Sequence, residues 1–118
     1  MLTFQLTAND GFDLVRLEGL VSFDAWDAVL RRVSAALAAR DGPRRLMVDM
    51  QSVLGYLGIP ERRAVGAMMA THLGGMQKVA ILVQAEKITN VVHDEAHRHG
   101  LDLRLFPHHG DAVAWVTS

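Results

Sequence analysis

Two short apolar runs constrain the fold of this chain more than any other feature. They are Leu46-Met47-Val48, which closes on Asp49 and Met50, and Lys78 to Val83, which reads KVAILV. Runs of this length without polar alternation fit strands in the middle of a sheet, covered on both faces. Each is followed by a helical pattern. Pro60 to Leu73 places Val65, Met68, Met69 and Leu73 on one side, and Glu86 to His99 places Ile88, Val91, Val92 and Ala96 on one side. Strands alternating with helices in this way build a parallel sheet. Leu101, Leu103 and Leu105 then alternate with Asp102 and Arg104, as in a half-exposed edge strand, and a short helix over about Asp111 to Val116 brings Val113, Trp115 and Val116 back to the body.

Upstream of the first run, Leu2, Phe4 and Leu6 alternate with polar residues, and Phe12 to Glu18 reads as a second strand. Asn9-Asp10-Gly11 between them supplies the turn chemistry of a tight antiparallel hairpin. Ser22 is placed to cap a helix running to about Arg40, with Phe23, Trp26, Leu30, Val33 and Leu37 on its inner side and an Asp27/Arg31 pair on its wet side. Trp26 on that stripe reads as core. Asp41-Gly42-Pro43 stops the helix.

The order is β-β-α-β-α-β-α-β-α: an α/β chain with a five-stranded mixed sheet, right-handed parallel crossovers and one domain over residues 1–118. Crossovers of one hand put their helices on one face. Met47, Ala80, Leu82 and Leu103 are therefore expected on a second face that needs cover, from a homodimer or from a lid made by the hairpin and the terminal helix.

Charge is nearly balanced, with 12 Lys plus Arg against 13 Asp plus Glu, which argues against a nucleic-acid partner. The Arg31/Arg32, Arg44/Arg45 and Arg62/Arg63 pairs read as solvated element ends. Without cysteine there is neither a disulfide nor a thiolate zinc site. No secretion signal and no run of membrane-spanning length is visible, so a cytoplasmic protein without a transmembrane segment is expected. Five of the six histidines lie in the last quarter. His93 and His97 are spaced i,i+4 as in zinc helices, but HDEAH puts Asp94 where the H-E-x-x-H motif has its catalytic Glu and offers no third ligand. They are weak metal candidates on a solvated face. His72, on the inward stripe of its helix, reads as a hydrogen-bonded structural residue. No phosphate loop, catalytic triad or carboxylate pair can be assembled, so no cofactor and no enzymatic activity are expected.

The connector after the first run is unusually apolar, carrying Met50, Val53, Leu54, Tyr56, Leu57 and Ile59. Sites in open α/β sheets gather beyond the carboxyl ends of strands. The candidate ligand- or partner-binding residues are thus Asp49, Met50, Ser52, Leu54, Tyr56, Leu57 and Ile59, with Met68 and Met69 from the helix that follows.

The element order, with a strand ending in Val48-Asp49-Met50 and a Gly-containing loop entering a helix, resembles the STAS domain family in its SpoIIAA-like branch, over essentially the whole chain. The resemblance implies a non-enzymatic binding and regulatory module. Family members include anti-sigma-factor antagonists and cytoplasmic parts of anion transporters, and the related CRAL-TRIO fold binds lipids. In the signalling members an Asp-Leu-Ser-like step precedes an Asp-Ser pair whose serine is phosphorylated. Asp49-Met50-Gln51 corresponds to the first step, whereas Leu57 and Gly58 occupy the place of the second, so the phosphorylatable hydroxyl is missing. Ser52 is offset from it and reads as a loop-capping hydroxyl. The resemblance is to the small stand-alone bacterial STAS-like proteins, which implies a regulatory protein partner or a bound apolar small molecule. A first alternative is a carrier or sensor of an apolar small molecule or lipid, in a pocket between the Pro60 helix and the next. A second is an enzyme dependent on histidine or a metal.

Overall fold

In the computed structural model, which describes residues 2–118, the hairpin forms where Gly11 adopts φ 84°, a left-handed conformation that side-chain-bearing residues rarely take. Strand β1 (Leu2–Asn9) pairs antiparallel with β2 (Phe12–Leu20) from Leu2↔Gly19 to Asn9↔Phe12. Ser22 accepts a hydrogen bond from the Ala25 amide at 3.1 Å and starts α1 (Phe23–Ala38). Then follow β3 (Arg45–Leu54), α2 (Ile59–Leu73), β4 (Lys78–Leu82), α3 (Asn90–Arg98), β5 (Leu103–Phe106) and α4 (His109–Val116). Strands β2, β3, β4 and β5 are parallel, and the sheet order β1-β2-β3-β4-β5 is the chain order. Each crossover advances one strand in the same direction.

As expected of such crossovers, α1, α2 and α3 share one face. Trp26, Val29, Leu30, Val33 and Leu37 of α1 and Val65, Met69 and Leu73 of α2 join Val15, Leu17, Leu46, Val48, Val79 and Ile81 of the strands in the main core. Helices α2 and α3 meet at Gly66, where a Cβ would lie 2.8 Å from the Val92 carbonyl oxygen. The small residues of α2 serve this approach.

The other face carries a second cluster, Phe12, Met47 and Ala80, under Ala112 and Val116 of α4, with Phe106 and Trp115 at its margin. Of the two expected covers, the terminal helix provides one, and Met47 and Ala80 are sealed within the chain itself. Two cations hold α4 in place by its C-terminal carbonyls, the end of a helix dipole that favours positive charge. Arg45 Nη1 donates to the Val116 and Ser118 oxygens (3.0 and 2.7 Å), and Lys78 Nζ donates to those of Trp115 and Ser118 (3.1 and 3.0 Å).

Several expected boundaries and phases shift. Leu103 belongs to the main core: it is paired with Val79 and shares that residue's face, while Arg104 pairs with Ala80. The third crossover helix starts at Asn90 instead of Glu86, because Ala85–Lys87 makes only one 3-10 turn before the β-branched Ile88 and Thr89 run extended. Within it only Ala96 is fully buried, Val92 packs partly against the core as does Ile88 just before the helix, and Val91 is half-buried. No helix among the described residues is long and apolar enough to cross a membrane.

Candidate functional site

The largest departure from the sequence reading falls at the carboxyl end of β3. The strand does not stop at Met50 but continues to Leu54 through a bulge: Arg16 pairs with Asp49 and Glu18 with Ser52, so Met50 and Gln51 together face Leu17. A bulge leaves an amide outside the ladder and needs a substitute acceptor. Asp49 supplies it, its Oδ1 accepting from the Gln51 N–H at 3.0 Å, while Oδ2 takes the Arg16 Nε at 3.3 Å. Side chains alternate along a strand, so one extra residue reverses every later one. Val53 is thereby turned inward and buried, and Leu54 outward.

Gly55 ends the strand at φ 98°, with the Val21 side chain only 3.1 Å from where a Cβ would sit. The Val21 amide donates to the Leu54 carbonyl at 2.8 Å. Tyr56, Leu57 and Gly58 then lead into α2, with Pro60 in its first turn.

Between α2, the ends of β3 and β4, and the 3-10 turn before α3 lies a cavity of about 90 Å³. Val53, Val65, Met69, Ile81 and Val83 give it an apolar lining, to which Trp26 contributes from α1 and Met50, Tyr56 and Leu57 from β3 and the connector. Three other polar or charged side chains reach it: Arg62, Lys87 and Thr89. Arg62 Nε donates to the Leu57 carbonyl at 2.9 Å, and Lys87 Nζ donates to the Val53 carbonyl at 3.1 Å. Lys87 Nζ also lies 5.1 Å from the Tyr56 ring centroid, within cation–π range.

At the same end of the sheet the molecule leaves its large apolar side chains bare. Leu20 (61% exposed), Phe23 (41%), Leu54 (65%), Tyr56 (67%) and Ile59 (58%) all sit where β2 and β3 end or where α1 and α2 begin. Leu20 and Leu54 are register partners.

The residues singled out from sequence therefore separate into four groups. Met50, Tyr56, Leu57 and Met69 line the cavity; Leu54 and Ile59 join Tyr56 on the rim. Asp49 and Ser52 lie on the opposite face of the sheet, Asp49 buried in its bulge and Ser52 exposed opposite Glu18, inside a strand and not in a loop. Met68 packs partly against the core and does not reach the cavity. Sequence reasoning missed Arg62, although it shares a stripe with Val65 and Met69, three and seven residues on. It also missed Lys87 and Thr89, which carry no such signal.

The histidines do not converge. The His93 and His97 rings stack with centroids 4.1 Å apart, and His97 is not simply solvated, since its Nε2 donates to the Leu103 carbonyl at 2.9 Å. No cluster of three or more metal-ligating side chains occurs among the described residues. His72 Nε2 lies 3.3 Å from Asp27 Oδ1, tying α2 to α1, while Asp27 Oδ2 also meets Arg31 at 3.1 Å.

No family model and no curated protein matches the sequence. Solved structures do. An anti-sigma factor antagonist from Mycobacterium paratuberculosis superposes with a TM-score of 0.66 at 20% identity, over 100% of this chain and 96% of that one. An uncharacterised protein with a SpoIIAA-like fold from Shewanella loihica superposes with a TM-score of 0.59 at 13% identity, over 98% and 93%. The strand order, the three crossover helices on one face and these superpositions together give the chain a STAS/SpoIIAA-like fold.

Proposed function

We propose that this chain is a non-enzymatic regulatory module that docks a protein partner on the apolar rim formed by Leu20, Phe23, Leu54, Tyr56 and Ile59. The observation that carries this reading is the gathering of those five exposed side chains at one end of the sheet. Scattered apolar residues are ordinary on a surface, but a cluster of large ones marks an interface. The fold shared with an anti-sigma factor antagonist suggests the class of partner, a regulatory protein such as an anti-sigma factor. Docking here does not depend on serine phosphorylation at the start of α2. Gly58 stands at the N-cap and offers no hydroxyl, and Ser52 lies within β3 opposite Glu18, away from the start of α2.

The test is a double variant, Leu54→Glu with Tyr56→Ala. Both side chains are mostly exposed, so the loss of stability should stay near 1 kcal/mol, including the Tyr56 contact with Lys87. Co-purification from the native host should yield a stoichiometric partner with the wild-type chain and not with the variant. A partner held equally by both, or none held by either, would refute the proposal.

A second reading, a sensor or carrier of a small apolar molecule, is favoured by the cavity beside the rim. Small-molecule sites are concave and apolar with a few placed polar groups, as this one is.

A further inference from the structure

We infer that the cavity is selective for an anionic amphiphile, a short aliphatic chain ending in a carboxylate, with Arg62 and Lys87 holding the charged end. The inference rests on the second reading above, that the cavity is a small-molecule site, and adds the chemistry of the ligand. It shares Tyr56 with the rim but does not require that the rim dock a protein.

The argument begins with what the cavity lining lacks. Its side chains include two cations and no carboxylate. Among the described residues the ion pairs occupy Arg16, Arg31, Arg40, Arg98 and four histidines, and neither Arg62 nor Lys87 is in one. Both are nevertheless held in place. Arg62 is fixed through Nε to the Leu57 carbonyl and Lys87 through one Nζ hydrogen to the Val53 carbonyl. That leaves the two Nη groups of Arg62 and two hydrogens of Lys87 to donate, with the Thr89 hydroxyl on the same lining. Cations positioned by neutral carbonyls, with donors to spare and an apolar wall behind them, are complementary to an anion with an apolar tail. A neutral hydrocarbon would fill the apolar part and leave the positive charge uncompensated.

The size sets the tail. At about 90 Å³ the space is smaller than the roughly 150 Å³ cavity that holds a benzene ring. The space limits the buried end to a few carbons and excludes a long acyl chain or a fused ring system.

Hexanoate and hexan-1-ol are suitable probes, since they share a tail and differ in the charge of the head. Each is titrated into the full chain at low salt and followed by NMR on the methyl groups of Val53, Val65, Met69 and Ile81 and on the Tyr56 ring. Hexanoate should shift these signals and bind about tenfold more tightly than hexan-1-ol, the margin expected for charge-assisted hydrogen bonds. Lys87→Gln, at a half-exposed position outside the core, should remove most of that margin by weakening hexanoate far more than hexan-1-ol. Equal affinity for the two probes would overturn the anion assignment and leave the cavity reading standing. Binding of neither probe would overturn both. A hexanoate response confined to surface residues, with the four cavity side chains silent, would mean simple ion pairing and also overturn the inference.

Discussion

The close approach of α2 and α3 at Gly66 makes a prediction whose sign runs against helix propensity. Alanine is favoured over glycine in a helix interior by about 1 kcal/mol. At Gly66, however, an added Cβ would lie 2.8 Å from the Val92 carbonyl oxygen, 2.9 Å from the Glu95 Cβ and 3.3 Å from the Ala96 nitrogen. Two of these are backbone atoms of α3, so no side-chain rotation relieves the clash and the whole helix must move outward. Overpacking of this kind costs about 1–3 kcal/mol, which after subtracting the propensity gain leaves a net loss centred near 1 kcal/mol. Gly110 in α4 is the control, with nothing within 4 Å of its added Cβ and an exposed position. Gly110→Ala should gain up to about 1 kcal/mol. The same atoms are added to the unfolded chain in each case, so the difference between the two variants reports on the native state. For a chain of this length about 1 kcal/mol moves the melting temperature by roughly 4 °C. Calorimetry should therefore place Gly66→Ala about 4 °C below the wild type and Gly110→Ala a few degrees above it. If Gly66→Ala melts at or above Gly110→Ala, the helix contact does not constrain the fold as argued.

Two further outcomes follow from the hydrogen bonds. Asp49→Ala should cost about 1–2 kcal/mol in denaturant unfolding, because the Gln51 amide loses its acceptor and Arg16 its counter-ion. Asp49→Asn retains the oxygen at that place and should recover most of the loss; equal losses would shift the weight to the Arg16 pair. Replacing Arg45 and Lys78 together by Met should weaken the attachment of α4 by about 1 kcal/mol. Amide exchange should then accelerate in α4 while β3 and β4 stay protected. A uniform acceleration across the sheet would show that α4 is not separately held.

What was legible in the sequence is what local chemistry decides. Apolar runs at Leu46 and Val79, the hydroxyl of Ser22 at a helix start and Gly11 with φ 84° in the hairpin turn each express a rule that operates within a few residues. The face occupied by Leu103 was not legible, because the alternation around it fixes a period and not a phase. The phase comes from its pairing with Val79. The bulge was hidden for a related reason. Gln51 and Ser52 read as the polar start of a loop, whereas the Asp49 bond to the Gln51 amide and the resumed pairing with β2 carry the strand on past them.

That single extra residue also accounts for the site. A regular ladder through Gln51 would have directed Val53 toward the α4 side of the sheet and Leu54 toward the helices. With the bulge, Val53 becomes part of the cavity lining and offers its carbonyl to Lys87, while Leu54 emerges beside Leu20 on the rim. The place of Val53 in the cavity and that of Leu54 on the rim are thus two consequences of one irregularity, braced by the Asp49 carboxylate. Asp49 was expected among the residues that touch a ligand or partner. Its position assigns it an earlier part in the causal chain, as the group whose hydrogen bond determines which neighbouring side chains are available to make that contact.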